Sequence, residues 1–153
     1  MSFTYDYPRA NLTTDIIYYH PHRGVLLIKR KNDPDAGKWA TPGGHVEMNE
    51  RLLECARREF EEEAGFRPQG VFELIGVFDK VNRDPRSRYI TFVYIVKWQH
   101  GDAEPVAGDD AAAVKFFHID DIKKTDLALD HWELLLNAIC GSYHESNALE
   151  WKQ

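Results

Sequence analysis

Cysteine is scarce in this sequence. There are two in 153 residues, Cys55 and Cys140, with no CxxC and no Cys/His spacing of a zinc site. Both fall in apolar helical patterns and are read as reduced core thiols. Positive charge is in deficit, with 19 Lys and Arg against 25 Asp and Glu and a formal net charge of -6. Nucleic-acid binding rests on basic patches that neutralise phosphates, so nucleic acid is not an expected partner. A small anionic substrate would need metal ions or a few placed arginines. No stretch approaches the roughly 18 apolar residues of a membrane span, and Met1 to Arg9 lacks the apolar run of a signal peptide. The expectation is therefore a cytoplasmic protein with no membrane partner. Repeats, low-complexity segments and linkers are also missing. With 43% hydrophobic and 29% charged residues, residues 1–153 read as one domain able to bury a core unaided.

What is present alternates between strand and helix signals. Thr14 to Tyr19 is β-branched and aromatic, Pro21-His22-Arg23-Gly24 is a turn, and Val25 to Ile28 is a second apolar strand ending in Lys29-Arg30-Lys31. Asn32 to Lys38 is a loop, and Pro42-Gly43-Gly44 breaks the chain ahead of a short extended piece. Glu50 to Ala64 is helical, with Leu53, Ala56, Phe60 and Ala64 on one stripe. Asn49 is the expected N-cap, Glu50 suits the first turn, and Gly65 the C-terminal stop. Two long strands, Val71 to Phe78 and Tyr89 to Trp98, flank Asp79 to Arg88. Gly101 to Asp110 is an acidic loop and Val114 to Ile119 a last strand. His131 to Cys140 is a closing amphipathic helix, with Trp132, Leu135, Leu136 and Ile139 on one face. After Gly141 the tail is polar with scattered aromatics. The predicted class is α/β, an α/β/α sandwich around a mixed β-sheet.

The first helix carries the chemistry. Glu59, Glu62 and Glu63 lie three and four residues apart on one face beside the apolar stripe, while Glu61 points elsewhere. Like charges at that spacing cost a helix roughly 0.2–0.5 kcal/mol per pair. By itself such a helix is usually a solvated acidic face. A hard divalent cation converts the cost into binding, and magnesium prefers carboxylate oxygens while keeping positions open for water and phosphate.

The context around the helix is specific. Gly44 is followed by Glu50 six residues on, then by Arg58, Glu59, Phe60, Glu62, Glu63, Gly65 and Phe66. This resembles the signature of the Nudix hydrolases: Gly, five residues, Glu, seven residues, Arg-Glu, an apolar residue, any residue, Glu-Glu, any residue, Gly, an apolar residue. Every fixed position matches across Gly44 to Phe66, with Phe60 standing where the family usually has Ile, Leu or Val. The resemblance implies the Nudix-type sandwich and a magnesium-dependent hydrolase, with manganese as a substitute ion, splitting a diphosphate bond in a nucleotide. It implies that Glu50 and Arg58 form an ion pair bracing the loop against the helix, and that Glu59 and Glu63 are metal ligands. Glu62 is a ligand or a base, and the Gly43 carbonyl completes the metal shell. Gly43 and Gly44 suit close approach of backbone to ligand or ion. In some relatives the base comes from a downstream loop, here Gly101 to Asp110, with Glu104, Asp109 and Asp110 as candidates.

Outside the signature the chain resembles the ADP-ribose pyrophosphatase branch. The resemblance rests on Leu26 to Arg30, Gly37-Lys38-Trp39, Asn82-Arg83-Asp84-Pro85-Arg86, Gly108-Asp109-Asp110 and Leu129-Asp130-His131. Val81 stands where that branch tends to have proline, and His45 where an apolar residue is typical. The implied reaction is ADP-ribose to AMP and ribose 5-phosphate. The alternative is a nucleoside triphosphate or another nucleotide sugar. Arg83 and Arg86 are candidate phosphate or ribose contacts, since guanidinium forks suit anions. Arg30 is a further phosphate candidate, Trp39 a base-stacking candidate, and Gly44 a close backbone approach. Some proteins resembling this branch are regulators in which the domain senses ADP-ribose and a C-terminal winged helix binds DNA. The chain stops soon after the closing helix and keeps every signature carboxylate, which favours an enzyme. The expected partner is a small nucleotide, with a homodimer as the candidate assembly.

Overall fold

The computed structural model describes residues 4–140, so the tail after Gly141 and the side chain of Cys140 lie outside the described residues. The longest strand, β1 (Asn11–His20), organises the fold. Along its whole length it pairs in parallel with β6 (Tyr89–Lys97). Its other edge is shared by two antiparallel partners, β4 (Gly43–His45) near one end and β2 (Gly24–Arg30) at the other. Beyond β2 lie β3 (Trp39–Ala40) and β7 (Ala111–Phe117), and β5 (Glu73–Phe78) adds to the outer edge of β6. The result is one mixed sheet of seven strands.

Both faces of that sheet are covered, which is why Ile16 to Tyr18 of β1 and Val25 to Ile28 of β2 are apolar and buried at successive positions. On one face Ile16, Tyr18 and Leu26 meet Ala56, Phe60 and Ala64 of helix α1 (Leu52–Ala64). The ring of Phe60 is wholly buried, 5.3 Å from both Tyr18 and Phe66. On the other face Ile17, Val25, Leu27 and Val93 pack on Leu134 and Leu135 of α2 (His131–Cys140). The side-chain period of two along β1 thus feeds two cores, and the α/β/α sandwich is the observed fold. No helix among the described residues is long and apolar enough to cross a membrane.

Several boundaries differ from the sequence reading. Helix α1 starts at Leu52 with Arg51 as the N-cap, not Asn49. The reason is that Glu50 is turned away from the helix: its carboxylate accepts from the Glu47 N–H at 2.8 Å and is held by Arg58. Glu54 satisfies the entering backbone instead, accepting from the Arg51 N–H at 2.7 Å. Strand β5 begins at Glu73 because Val71, 74% exposed, has no facing strand. Strand β6 ends at Lys97, one residue before Trp98. Strand β7 begins at Ala111, since its pairing with β2 runs back to Arg30, and Ile119 opens a 3-10 turn instead of ending the strand. Gly65 ends α1 in the left-handed region at φ 80°, as expected of a glycine stop.

Candidate active site

The short strand β4 delivers a glycine pair to the C-terminal half of α1. The Gly43 N–H donates to Glu63 Oε2 at 2.9 Å. A Cβ on Gly44 would sit 2.3 Å from the carboxyl carbon of Glu59, and one on Gly43 would sit 2.5 Å from Asp15 Oδ1. A Cβ on Gly43 would also meet the Thr14 carbonyl at 2.1 Å, so glycine is required by the neighbouring strand at Gly43 and by the Glu59 carboxylate at Gly44.

Arg58 organises the acids of the helix. Its Nε and Nη2 hold Glu50 at 3.0 and 2.7 Å, its Nη1 reaches Glu59 at 2.7 Å and Glu62 at 3.1 Å, and Nη2 also donates to the His45 carbonyl at 3.0 Å. That bonding holds the Glu50 carboxyl down at about 2. Glu63 is in the opposite situation. Burial, opposed by the Gly43 N–H and reinforced by the charges of Glu59, Asp15 and Asp110, pushes its carboxyl up to about 8. Burial likewise raises Glu59, against the pull of Arg58.

These residues fit a hard divalent cation. Among the described residues no three His, Cys, Asp or Glu side chains stand together as a ready-made metal cage. Magnesium does not require one, because it is usually held by one or two carboxylates with waters and substrate phosphates completing its shell. Glu59 and Glu63 could supply that pair, with the backbone of the glycine strand beside them. The raised carboxyl of Glu63 marks the cost of burial, added to by like charge, that a cation would relieve.

Beside the pair opens a cavity of about 160 Å³ lined by polar side chains from several elements. Its wall includes Asp15, Thr41, Glu63, Arg83, Asp130 and His131. The Thr41 N–H donates to His131 Nδ1 at 3.2 Å, which places the imidazole proton on Nε2. The Thr41 hydroxyl lies 2.8 Å from the same nitrogen and hydrogen-bonds Asp15, whose carboxyl is raised by burial. The segment before α2 is fixed at each step. The Ala128 N–H donates to the Trp39 carbonyl at 2.8 Å, and the Leu129 N–H to Asp35 Oδ2 at 2.8 Å. Leu129 itself takes φ 47°, a left-handed conformation that a leucine rarely adopts. The surrounding bonds hold it there, and it presents Asp130 to Arg83.

Several expected site residues stand elsewhere than the sequence suggested. Arg83 lines the cavity but is tied down within its wall. Its side chain is 6% exposed, and Nε and Nη2 bind Asp130 bidentately at 2.7 Å each. Its Nη1 donates to Thr91 Oγ1 and to the Phe78 carbonyl, so the fork is occupied and acts as a clamp across the cavity wall. Trp39 packs on Phe117 with ring centroids 4.8 Å apart and belongs to the second core, away from the cavity lining. Arg86 lines the cavity, held by Asp84 at 3.0 and 2.7 Å and lying 4.9 Å over the Tyr89 ring. Arg30 also lines it, with Nε donating to the Pro34 carbonyl at 2.8 Å.

The acidic loop crosses the end of α1. The Val106 and Gly108 N–H groups donate to the carbonyls of Ala64 and Glu63 at 2.8 and 3.1 Å, satisfying helix-end acceptors. Glu104 pairs with Arg23 at 2.9 Å. Asp109 receives Lys31 on its backbone carbonyl, and Asp110 is the loop acid whose charge acts on Glu63. None of the three lines the cavity.

Asp15 and Thr41 were not singled out from the sequence, and Asp130 and His131 were marked only as part of the Leu129-Asp130-His131 segment, with no role given to either. A lone aspartate inside a β-branched run is the signal that would have found Asp15.

Known proteins match both the sequence and the fold. The chain is 42% identical over 111 residues to an ADP-ribose pyrophosphatase of Methanocaldococcus jannaschii, covering 72% of this chain and 63% of that protein. It is 30% identical over 140 residues to the ADPR responsive transcriptional repressor NtrR of Acinetobacter baylyi, covering 87% of this chain and 54% of that protein. The chain therefore spans under two thirds of the length of either relative. The NUDIX domain of Shewanella oneidensis NrtR complexed with ADP ribose superposes with a TM-score of 0.75 at 26% identity, covering 86% of this chain and 88% of that one. The NUDIX domain family model matches residues 10–138, and the chain belongs to that family.

Proposed function

We propose that this protein hydrolyses the diphosphate bond of a nucleoside-diphosphate derivative with the help of magnesium, and that ADP-ribose is the substrate, giving AMP and ribose 5-phosphate. The observation that carries the reading is the meeting of Glu59 and Glu63 with the Gly43–Gly44 strand at the edge of a polar cavity. Glu59, Glu63 and the Gly43 carbonyl would hold the cation, with Glu62 beside them on Arg58. Bound magnesium would neutralise phosphate oxygens and acidify an attacking water. The protein's own part is positional. Arg58 orients Glu59 and Glu62 and ties the helix to the signature loop through Glu50 and the His45 carbonyl. The carboxylates and hydroxyl of the cavity wall are acceptors suited to sugar hydroxyls. The substrate assignment is supported by the 42% identical pyrophosphatase and by the likeness to a domain solved with ADP ribose.

Ligand sensing without turnover is the second reading, because one relative is an ADPR responsive repressor. Chromatography after incubation with magnesium and ADP-ribose separates the two. The proposal expects AMP and ribose 5-phosphate in equal amounts. Tight ADP-ribose binding with no AMP would establish the sensor, and neither binding nor AMP would overturn both.

A further inference from the structure

Part of the cavity wall, formed by Asp15, Thr41, Glu63 and the fully engaged guanidinium of Arg83, offers no flat ring. Another part of the same wall is planar. His45, at the end of β4, and Tyr89, at the start of β6, stand edge-to-face with ring centroids 5.6 Å apart and an interplanar angle of 65°. Arg86 lays its guanidinium 4.9 Å from the Tyr89 centroid, and Asp84 fixes that plane through two hydrogen bonds. All three line the cavity, and the Arg86 side chain is 41% exposed. The other ring lining the cavity is His131, which is 5% exposed and bonded to Thr41. Trp39, the residue the sequence offered for stacking, is committed to Phe117.

We propose that His45, Tyr89 and Arg86 form the nucleobase platform of this site, determining its preference for a purine nucleotide while the cavity takes the sugar. The inference rests on the proposed nucleotide-hydrolase reading and names the residues that would hold the base. Bases stack on aromatic faces and on guanidinium planes, and the interaction grows with ring area, so a purine gains more than a pyrimidine. Position 45 directly follows the glycine pair, so an imidazole there keeps the base within reach of the diphosphate held at Glu59 and Glu63.

The test is equilibrium binding of products, which does not depend on turnover. Calorimetry with magnesium present would compare AMP, UMP and ribose 5-phosphate on the wild type, His45→Ala, Tyr89→Leu and Tyr89→Phe. A base–aromatic stack is worth ~1–3 kcal/mol, so removing one ring should weaken AMP binding by about five-fold to a hundred-fold. Ribose 5-phosphate should be unaffected, Tyr89→Phe should bind AMP like the wild type, and the wild type should prefer AMP to UMP. His45→Ala removes an exposed side chain and guards against a folding failure at Tyr89. Unchanged AMP affinity in His45→Ala and Tyr89→Leu, or equal losses for AMP and ribose 5-phosphate, would overturn the platform and leave the hydrolase reading standing. A wild type that binds neither nucleotide and makes no AMP from ADP-ribose would overturn both.

Discussion

At Glu63, burial and three neighbouring acids all favour the neutral carboxyl, and one backbone N–H opposes them. Such a residue is expensive for the fold and useful for holding a cation. Glu63→Gln keeps the shape and removes the charge. Turnover should fall by about a hundred-fold or more, as expected when a preorganised electrostatic group is lost. The melting temperature of the metal-free protein should stay at or above the wild-type value. Steady-state rates with thermal unfolding check both halves, and a folded Glu63→Gln with normal magnesium-dependent turnover would remove Glu63 from the metal site. Arg83 behaves in the opposite way. It is buried, and every guanidinium nitrogen has a partner, so Arg83→Ala would strand Asp130 in the cavity wall. Breaking one side of a buried pair costs about 3–5 kcal/mol. The expected result is a melting temperature lower by several degrees, together with reduced activity. Unchanged stability with only a raised KM would instead make Arg83 a direct substrate contact.

The helix α1 and its entry loop depend on the Glu50–Arg58 pair, which the signature spacing pointed to and which stands at 2.7 Å. The Glu50 carboxyl is held at about 2 against an ordinary 4.5. The folded state therefore keeps Glu50 ionised where the unfolded chain has already taken up a proton. The stabilisation is complete above pH 4.5 and is lost as pH falls from there toward 2. Glu50→Gln should lower the melting temperature at neutral pH and flatten the acid side of the stability curve across that window. Parallel acid limbs for wild type and variant would show that Glu50 contributes nothing there. The body of this helix was readable because Leu53, Ala56, Phe60 and Ala64 recur at helical spacing. Its start was not, because the apparent cap Asn49 precedes a glutamate drawn off by an arginine in the second turn. Helical spacing and capping preference carry no sign of that contact, which only the resemblance implied. The strand edges at Val71 and Ala111 shifted for the same reason, since pairing partners set where a ladder begins.

Across the whole molecule, the mixed sheet and its two covering helices were legible from the run of strand and helix patterns, and the signature helix from spacing. The cavity was less so, because it gathers Asp15 from β1, Thr41 after β3, Arg83 before β6 and His131 at the start of α2. None of these is a neighbour of another in sequence. Arg83 and Trp39 were plausible ligand contacts by residue type; in the fold Arg83 lines the cavity with its fork tied to Asp130, and Trp39 packs on Phe117. In the proposed reaction the diphosphate would lie at the glycine strand and a sugar in the cavity. A nucleoside triphosphate has no second sugar-phosphate half to use those acceptors, and each unmade hydrogen-bonding contact is worth ~1–3 kcal/mol. The most direct test is kcat/KM for ADP-ribose and for nucleoside triphosphates, measured side by side with magnesium on the wild type. The account predicts that ADP-ribose is favoured by at least about ten-fold, with AMP as the product and no turnover once magnesium is chelated. Triphosphates hydrolysed with the higher kcat/KM, or ADP-ribose cleaved equally well without a divalent ion, would contradict it.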